Sequence, residues 1–157
     1  MSDFGELYRN HAPDVFRFAL YLSGDRGEAE DITSETFVRA WASSDRIRMS
    51  TVKGYLFTIA RNLFLKGRAR RSRHVEVTET LPDPGPGPQA AAEHHSELRV
   101  VLEALQKLPE IDRAALLMRA NDEMPYGEIA RSLGISLAAV KVKIHRARLA
   151  LARLRER

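Results

Sequence analysis

Pro125-Tyr-Gly-Glu-Ile-Ala-Arg-Ser-Leu-Gly134, then Ile135-Ser136 and a basic run from Leu137 to Arg157, reads as a helix-turn-helix with its parts in order. Ile129, Ala130 and Leu133 give the first helix an apolar face, and Gly134 supplies the left-handed residue that ends it. Ser136 is a good N-cap for the second helix. On that helix Val140, Ile144, Ala147, Leu151 and Leu154 recur at helical spacing and have to face a core. Ala138, Val142, His145 and Arg146 point away from that stripe, with Lys141, Lys143 and Arg148 on its flanks. A helix with an apolar back and a basic front suits a DNA major groove.

Towards the N-terminus, Leu81-Pro-Asp-Pro-Gly-Pro-Gly-Pro88 carries four prolines and two glycines, which defeat helix and strand alike. Proline density keeps such a segment extended. The composition therefore predicts a flexible Pro/Gly-rich linker over 75–95, between a domain at 1–74 and one at 96–157. Both flanks read as helices. Phe4, Leu7, Tyr8, His11, Val15, Phe18, Ala19 and Leu22 follow helical spacing, with Pro13 as a break or a new first turn. Ser23-Gly24-Asp25 is a turn. Ile32, Thr36, Phe37, Ala40 and Trp41 share one side of the next segment, and Trp41 is expected to pack rather than to face a partner. Leu56, Ile59, Ala60, Leu63 and Phe64 mark a third helix. Leu98–Lys107 and Asp112–Ala120, parted by Leu108-Pro109, precede the helix-turn-helix. The expected fold is all-α: two small helical domains with thin cores, joined by a tether that leaves their orientation open.

The bulk numbers narrow the function. The chain has 157 residues and no cysteine, so neither disulfides nor cysteine-ligated metals hold it together. No signal peptide and no run of about twenty apolar residues is present, which predicts a cytoplasmic protein that is not itself a membrane protein. The net charge of +4 is unevenly spread. Arg61, Lys66, Arg68, Arg70, Arg71 and Arg73 form a run without acids, whereas 74–98 has no lysine or arginine. Two basic patches parted by an acidic strip suit two contacts with one polyanion. His94-His95 with Glu93 and Glu97 is not read as a metal site, because adjacent histidines leave a helix in different directions. His11 and His145 lack carboxylates at useful spacing, and no Gly-rich phosphate loop occurs. No catalytic residue, metal or cofactor is expected.

Asp25, Glu28, Glu30, Asp31 and Glu35 make an acidic helix start, favoured by the macrodipole. Such a surface repels DNA and invites a basic protein partner. In the next helix Tyr55 and Phe57 stand near a basic run, a mixture that suits single-stranded nucleic acid. Phe64 is read as core.

Glu30-Asp-Ile-Thr-Ser-Glu-Thr-Phe-Val-Arg-Ala-Trp41 resembles the core-polymerase-binding helix of bacterial extracytoplasmic-function (ECF) sigma factors, the sigma-70 family's minimal members. Tyr55-Leu-Phe-Thr-Ile-Ala-Arg-Asn-Leu63 resembles their promoter −10 helix. Tyr126–Ser136 with Val140-Lys-Val-Lys-Ile-His-Arg-Ala-Arg148 is similar to their −35-reading helix-turn-helix. The resemblance covers nearly the whole chain. It implies a non-catalytic subunit that lends promoter specificity to core RNA polymerase. Asp31, Glu35 and Arg39 would grip the clamp helices of the large subunit, and the C-terminal domain would sit on the flap. Arg46, Ile47, Arg48, Arg61, Asn62 and Lys66 would capture and melt the single-stranded −10 element, Asn62 offering donor and acceptor to a flipped base. Lys141, Val142, His145 and Arg146 would enter the duplex −35 groove, with Arg146 on guanine and Val142 against a thymine methyl. Lys143 and Arg148 would meet phosphate. The acidic linker resembles the family's connector towards the RNA path, and a cognate anti-sigma factor is implied as a further partner. Ser34, Gly54-Tyr55 and Ile47 depart from the family's usual residues. Two other readings stay open: a stand-alone helix-turn-helix repressor, and a sigma-like mimic that titrates an anti-sigma factor.

Overall fold

The computed structural model describes residues 4–42, 51–74 and 89–155, and the described residues form seven helices and no strand. The first three are α1 (Phe4–Ser23), α2 (Arg26–Ala42) and α3 (Val52–His74). The rest are α4 (Gln89–Gln106), α5 (Glu110–Ala120), α6 (Tyr126–Leu133) and α7 (Leu137–Arg155).

Helices α1 and α2 form a hairpin closed by Gly24, whose φ of 76° lies in the left-handed region that a side chain resists. The Gly24 N–H donates to the Leu20 carbonyl at 2.7 Å, and Asp25 starts α2 by accepting from the Gly27 N–H at 3.1 Å. Helix α1 runs unbroken through Pro13, where a break or a restart was expected. Helix α3 packs across both. Its Phe57 lies flat on Phe18 of α1, ring centroids 4.5 Å apart and planes 5° from parallel. Thr33 and Thr36 enter the same core because each hydroxyl donates back to a carbonyl four residues earlier, at 2.7 and 2.6 Å.

In the second half α5 is the central helix, with Ala114, Ala115, Leu116, Leu117 and Met118 all buried. The α6–α7 pair folds against it through Ile129, Val140, Ile144 and Ala147. Gly134, at φ 69°, ends α6, and Ser136 caps α7 by accepting from the Ala139 N–H at 3.1 Å, as the spacing predicted. Helix α4 begins at Gln89, inside the stretch that composition assigned to the linker. Immediately after Pro88, Gln89 and three consecutive alanines have enough helix propensity to start it early.

Trp41 departs from expectation. It was placed with the apolar side of α2, yet it is 66 % exposed. It stands in the last turn of α2, where the core has tapered away, and meets Phe4 edge-on at 5.0 Å.

The Phe18–Phe57 stack ties α1 to α3 in a core with little to spare. Phe57→Ala is expected to lower unfolding stability by about 3–5 kcal/mol, read as a reduced urea midpoint.

Candidate nucleic-acid interface

Helix α7 presents two faces. Val140, Ile144 and Ala147 are buried behind, while Ala138, Lys141, Val142, His145 and Arg148 are exposed in front. Val142 is 60 % exposed, an apolar side chain held in solvent by the helix that carries it. The Lys141 ammonium lies 5.8 Å from the centre of the Tyr126 ring, which also carries Arg119 at 4.6 Å. Arg146 is committed differently from a free reader. Its Nε and Nη2 donate to the two oxygens of Asp112 at 2.7 and 2.9 Å. Asp112 is fully buried in the first turn of α5, and Lys143 stands 3.9 Å from it. The pair fastens α7 to α5. The bonded carboxylate raises the Arg146 pKa further, leaving Nη1 as the amino group outside this fork.

Asp31, Glu35 and Arg39 are exposed along α2, with Arg39 Nε donating to Glu35 Oε2 at 3.2 Å. They share a cleft of about 410 Å³ with Lys66, Arg70 and Arg71 of α3. The acidic and basic faces are thus the two walls of one cleft. Val38 and Trp41 stand exposed on α2 beside this row. Asn62 and Lys66 are exposed on α3. Arg46, Ile47 and Arg48 lie outside the described residues.

Arg61 is turned away from solvent. Its Nε and Nη2 donate to Glu110 of α5 at 2.8 and 2.7 Å, both side chains being largely buried. This is one of several polar contacts that close the second half of the chain on the first. Lys53 of α3 lies 3.1 Å from Asp14 of α1 and 3.5 Å from Asp122, and Arg17 reaches the same two carboxylates. Burial raises the Asp122 pKa, and Lys53 and Arg17 oppose that shift. For Lys53 burial is the largest influence and lowers the pKa. The hydrogen bond to Asp14 and the attraction of both carboxylates together outweigh it, so the ammonium is held charged. The Thr58 and Ser132 hydroxyls meet at 2.7 Å.

A further contact lies at the start of α3. Glu128 Oε2 accepts from both the Thr51 N–H and the Thr51 hydroxyl at 2.8 Å, so a carboxylate from α6 sits on the positive end of another helix. A Cβ on Gly54 would fall 2.6 Å from that oxygen, so only glycine admits this approach. Glu110, Asp122 and Glu128 were not singled out as site residues in the sequence. No local pattern sets them apart from the other acids of the C-terminal half, and each is paired across the junction.

Residues 7–74 match the Sigma-70 region 2 family and residues 98–151 match Sigma-70, region 4. The ECF RNA polymerase sigma factor SigM of Bacillus subtilis is 33 % identical over 91 % of this chain and 89 % of its own length. The chain belongs to the ECF sigma factors of the sigma-70 family. SigE of Mycolicibacterium smegmatis is 38 % identical over 94 % of this chain, which spans 60 % of that protein's length. Among solved structures, the sigma factor RpoE in complex with the anti-sigma factor NepR from Bartonella quintana superimposes with a TM-score of 0.81. It covers 99 % of this chain and 98 % of that one, at 26 % identity.

In this ECF sigma factor, then, region 4 is closed on α3 of region 2. No helix among the described residues is long and apolar enough to cross a membrane. Gly54→Ala separates the closed contact from the domains themselves. It is expected to strengthen α3 by up to about 1 kcal/mol through helix propensity while pushing Glu128 off Thr51. Small-angle X-ray scattering should then give a larger radius of gyration than the parent chain at equal or greater helix content. Equal radii would mean that Glu128 swings aside without consequence.

Proposed function

We propose that this ECF sigma factor binds core RNA polymerase through α2 and directs it to promoters by reading a duplex −35 element with α7 and a melted −10 element with α3. The observation that carries this reading is the front of α7. Lys141, Val142, His145 and Arg148 stand exposed over a buried back, and no acidic residue occurs between Leu137 and Arg155. Such a row fits the major groove, with Val142 against a thymine methyl and His145 at a base edge. Lys143 and Arg148 set register on phosphate. Arg146 holds α7 on α5 through Asp112 and offers DNA its remaining amino group. Freeing the whole fork for guanine would strand a buried carboxylate, which is costly.

Polymerase takes the exposed row Asp31, Glu35 and Arg39, with Val38 and Trp41 as its apolar neighbours. An exposed tryptophan flanked by charges has the composition of an interface anchor. Asn62, Lys66 and the released Arg61 serve the −10 strand, together with Arg46, Ile47 and Arg48.

Arg61 is held by Glu110, so −10 recognition requires that region 4 leave region 2. The closed arrangement is therefore the silent form. The RpoE structure that this chain resembles along its whole length is a complex with an anti-sigma factor, which supports an anti-sigma protein as the partner that holds this form.

Two experiments test the reading. Purified core polymerase should bind the chain, and an Asp31→Arg, Glu35→Arg double variant should bind at least about a hundredfold more weakly, as expected when two paired interface charges are reversed. Retained binding in the double variant would move the polymerase site off α2. For duplex binding, Lys141→Ala should weaken all sequences about evenly and reduce the salt slope by about 1, whereas Val142→Ser should change base preference at one position.

A further inference from the structure

Promoter binding as proposed gives no role to a cationic cavity among the described residues. It has a volume of about 300 Å³ and lies where the two halves of the chain meet. Ser23 at the end of α1 and Arg68 and Arg71 of α3 form one wall, and Pro109, Glu110 and Arg113 at the start of α5 form the other.

Its lining is cationic and incompletely satisfied. Arg113 is only 4 % exposed. Its Nη1 donates to the carbonyls of Leu105 and Leu108 at 3.2 and 3.0 Å, ending α4. Its Nε is buried and has no hydrogen-bond partner. A buried guanidinium N–H without an acceptor is rare and costly. Burial weighs most against the Arg113 charge, Glu110 supports it, and the like charge of Arg68 adds to the burden. Glu110, whose oxygens accept from Arg61, makes no hydrogen bond to that Nε. Arg71 is shared with Glu28 at 2.9 Å. Helix α5 begins at this cavity behind Pro109 with no side-chain cap, so the positive end of the helix opens on the same space.

We propose that this junction cavity binds a phosphate-bearing anion, with Arg68 and Arg71 as its donors and the buried Arg113 guanidinium adding positive charge behind them. Several guanidinium groups spread around one small space call for a ligand with many acceptor oxygens and more than one negative charge. A phosphate or diphosphate group meets that need better than a single carboxylate. The volume has room for one or two phosphate groups and stands at the lower end of small-molecule sites. Because its walls come from both halves, a bound anion favours the closed arrangement by linkage. That consequence rests on the promoter-binding reading, whereas the binding itself does not.

The test is a titration of the full chain with inorganic phosphate, inorganic diphosphate and ADP, with sodium chloride at matched ionic strength as the blank. Arginine Nε–H resonances are followed by NMR. The Arg113 Nε–H signal should shift saturably, and Arg68→Gln should weaken the apparent affinity at least about tenfold. Arg68 is an exposed side chain, so its loss leaves the fold intact, and Arg71→Gln gives a second reading at the same site. Lys141→Ala, on the far helix, should leave the titration unchanged. Tighter binding of ADP than of diphosphate would assign a nucleotide, and equal or weaker binding would assign the free anion. No saturable shift at Arg113 with any of the three, or one that both Gln variants leave intact, would overturn the site. Polymerase binding by α2 would be untouched by that failure, so the two readings fall separately.

Discussion

Glu128 leaves α6 and accepts two hydrogen bonds at the first turn of α3, and this contact seats region 4 on region 2. A carboxylate at a helix N-terminus is favourable wherever it comes from, because orphan N–H groups and the macrodipole both attract it. Here it comes from the other half of the chain. Gly54 makes the approach possible by having no side chain, at some cost to the propensity of α3. Once α6 is seated, Ser132 falls on Thr58, Asp122 on Lys53 and Arg17, and Glu110 on Arg61.

These partners have a common logic. A promoter-binding subunit needs cations that DNA can reach, and the same cations are what its own acids find first. Region 4 carries few acids outside α4, and three of them are spent on region 2. The pairs are partly buried, so each gains in Coulomb energy but gives up hydration, and the net is modest. Several modest contacts can hold a closed form that a partner with higher affinity for the open one is still able to open.

Arginine does two jobs in the same chemistry. Arg61 and Arg146 each use a planar fork on one carboxylate, and Arg113 uses one amino group on two carbonyls. A guanidinium that could read guanine is equally able to brace a helix, and sequence cannot distinguish the two uses. The Arg146–Asp112 clamp explains how a helix with an acid-free front stays seated on its core.

Much of the architecture was legible in the chain itself. Helical periodicity, the Gly134 terminator, the Ser136 cap and the Ser23-Gly24-Asp25 turn are local signals, each set by backbone sterics or a short-range hydrogen bond, and each stands where it was read. The basic front and apolar back of α7 follow from the same periodicity. Three features were decided only by tertiary structure. Trp41 lies on the apolar side of its helix by spacing, but the core ends before it, so exposure depended on where neighbouring helices stop. The tasks of Arg61 and Arg146 depended on carboxylates 49 and 34 residues away, which no local pattern connects. The closure of region 4 on region 2, and with it the cationic cavity at their junction, depended on a carboxylate fitting a helix end 77 residues earlier. Periodicity says which face of a helix is apolar, and only the packed chain says what that helix meets.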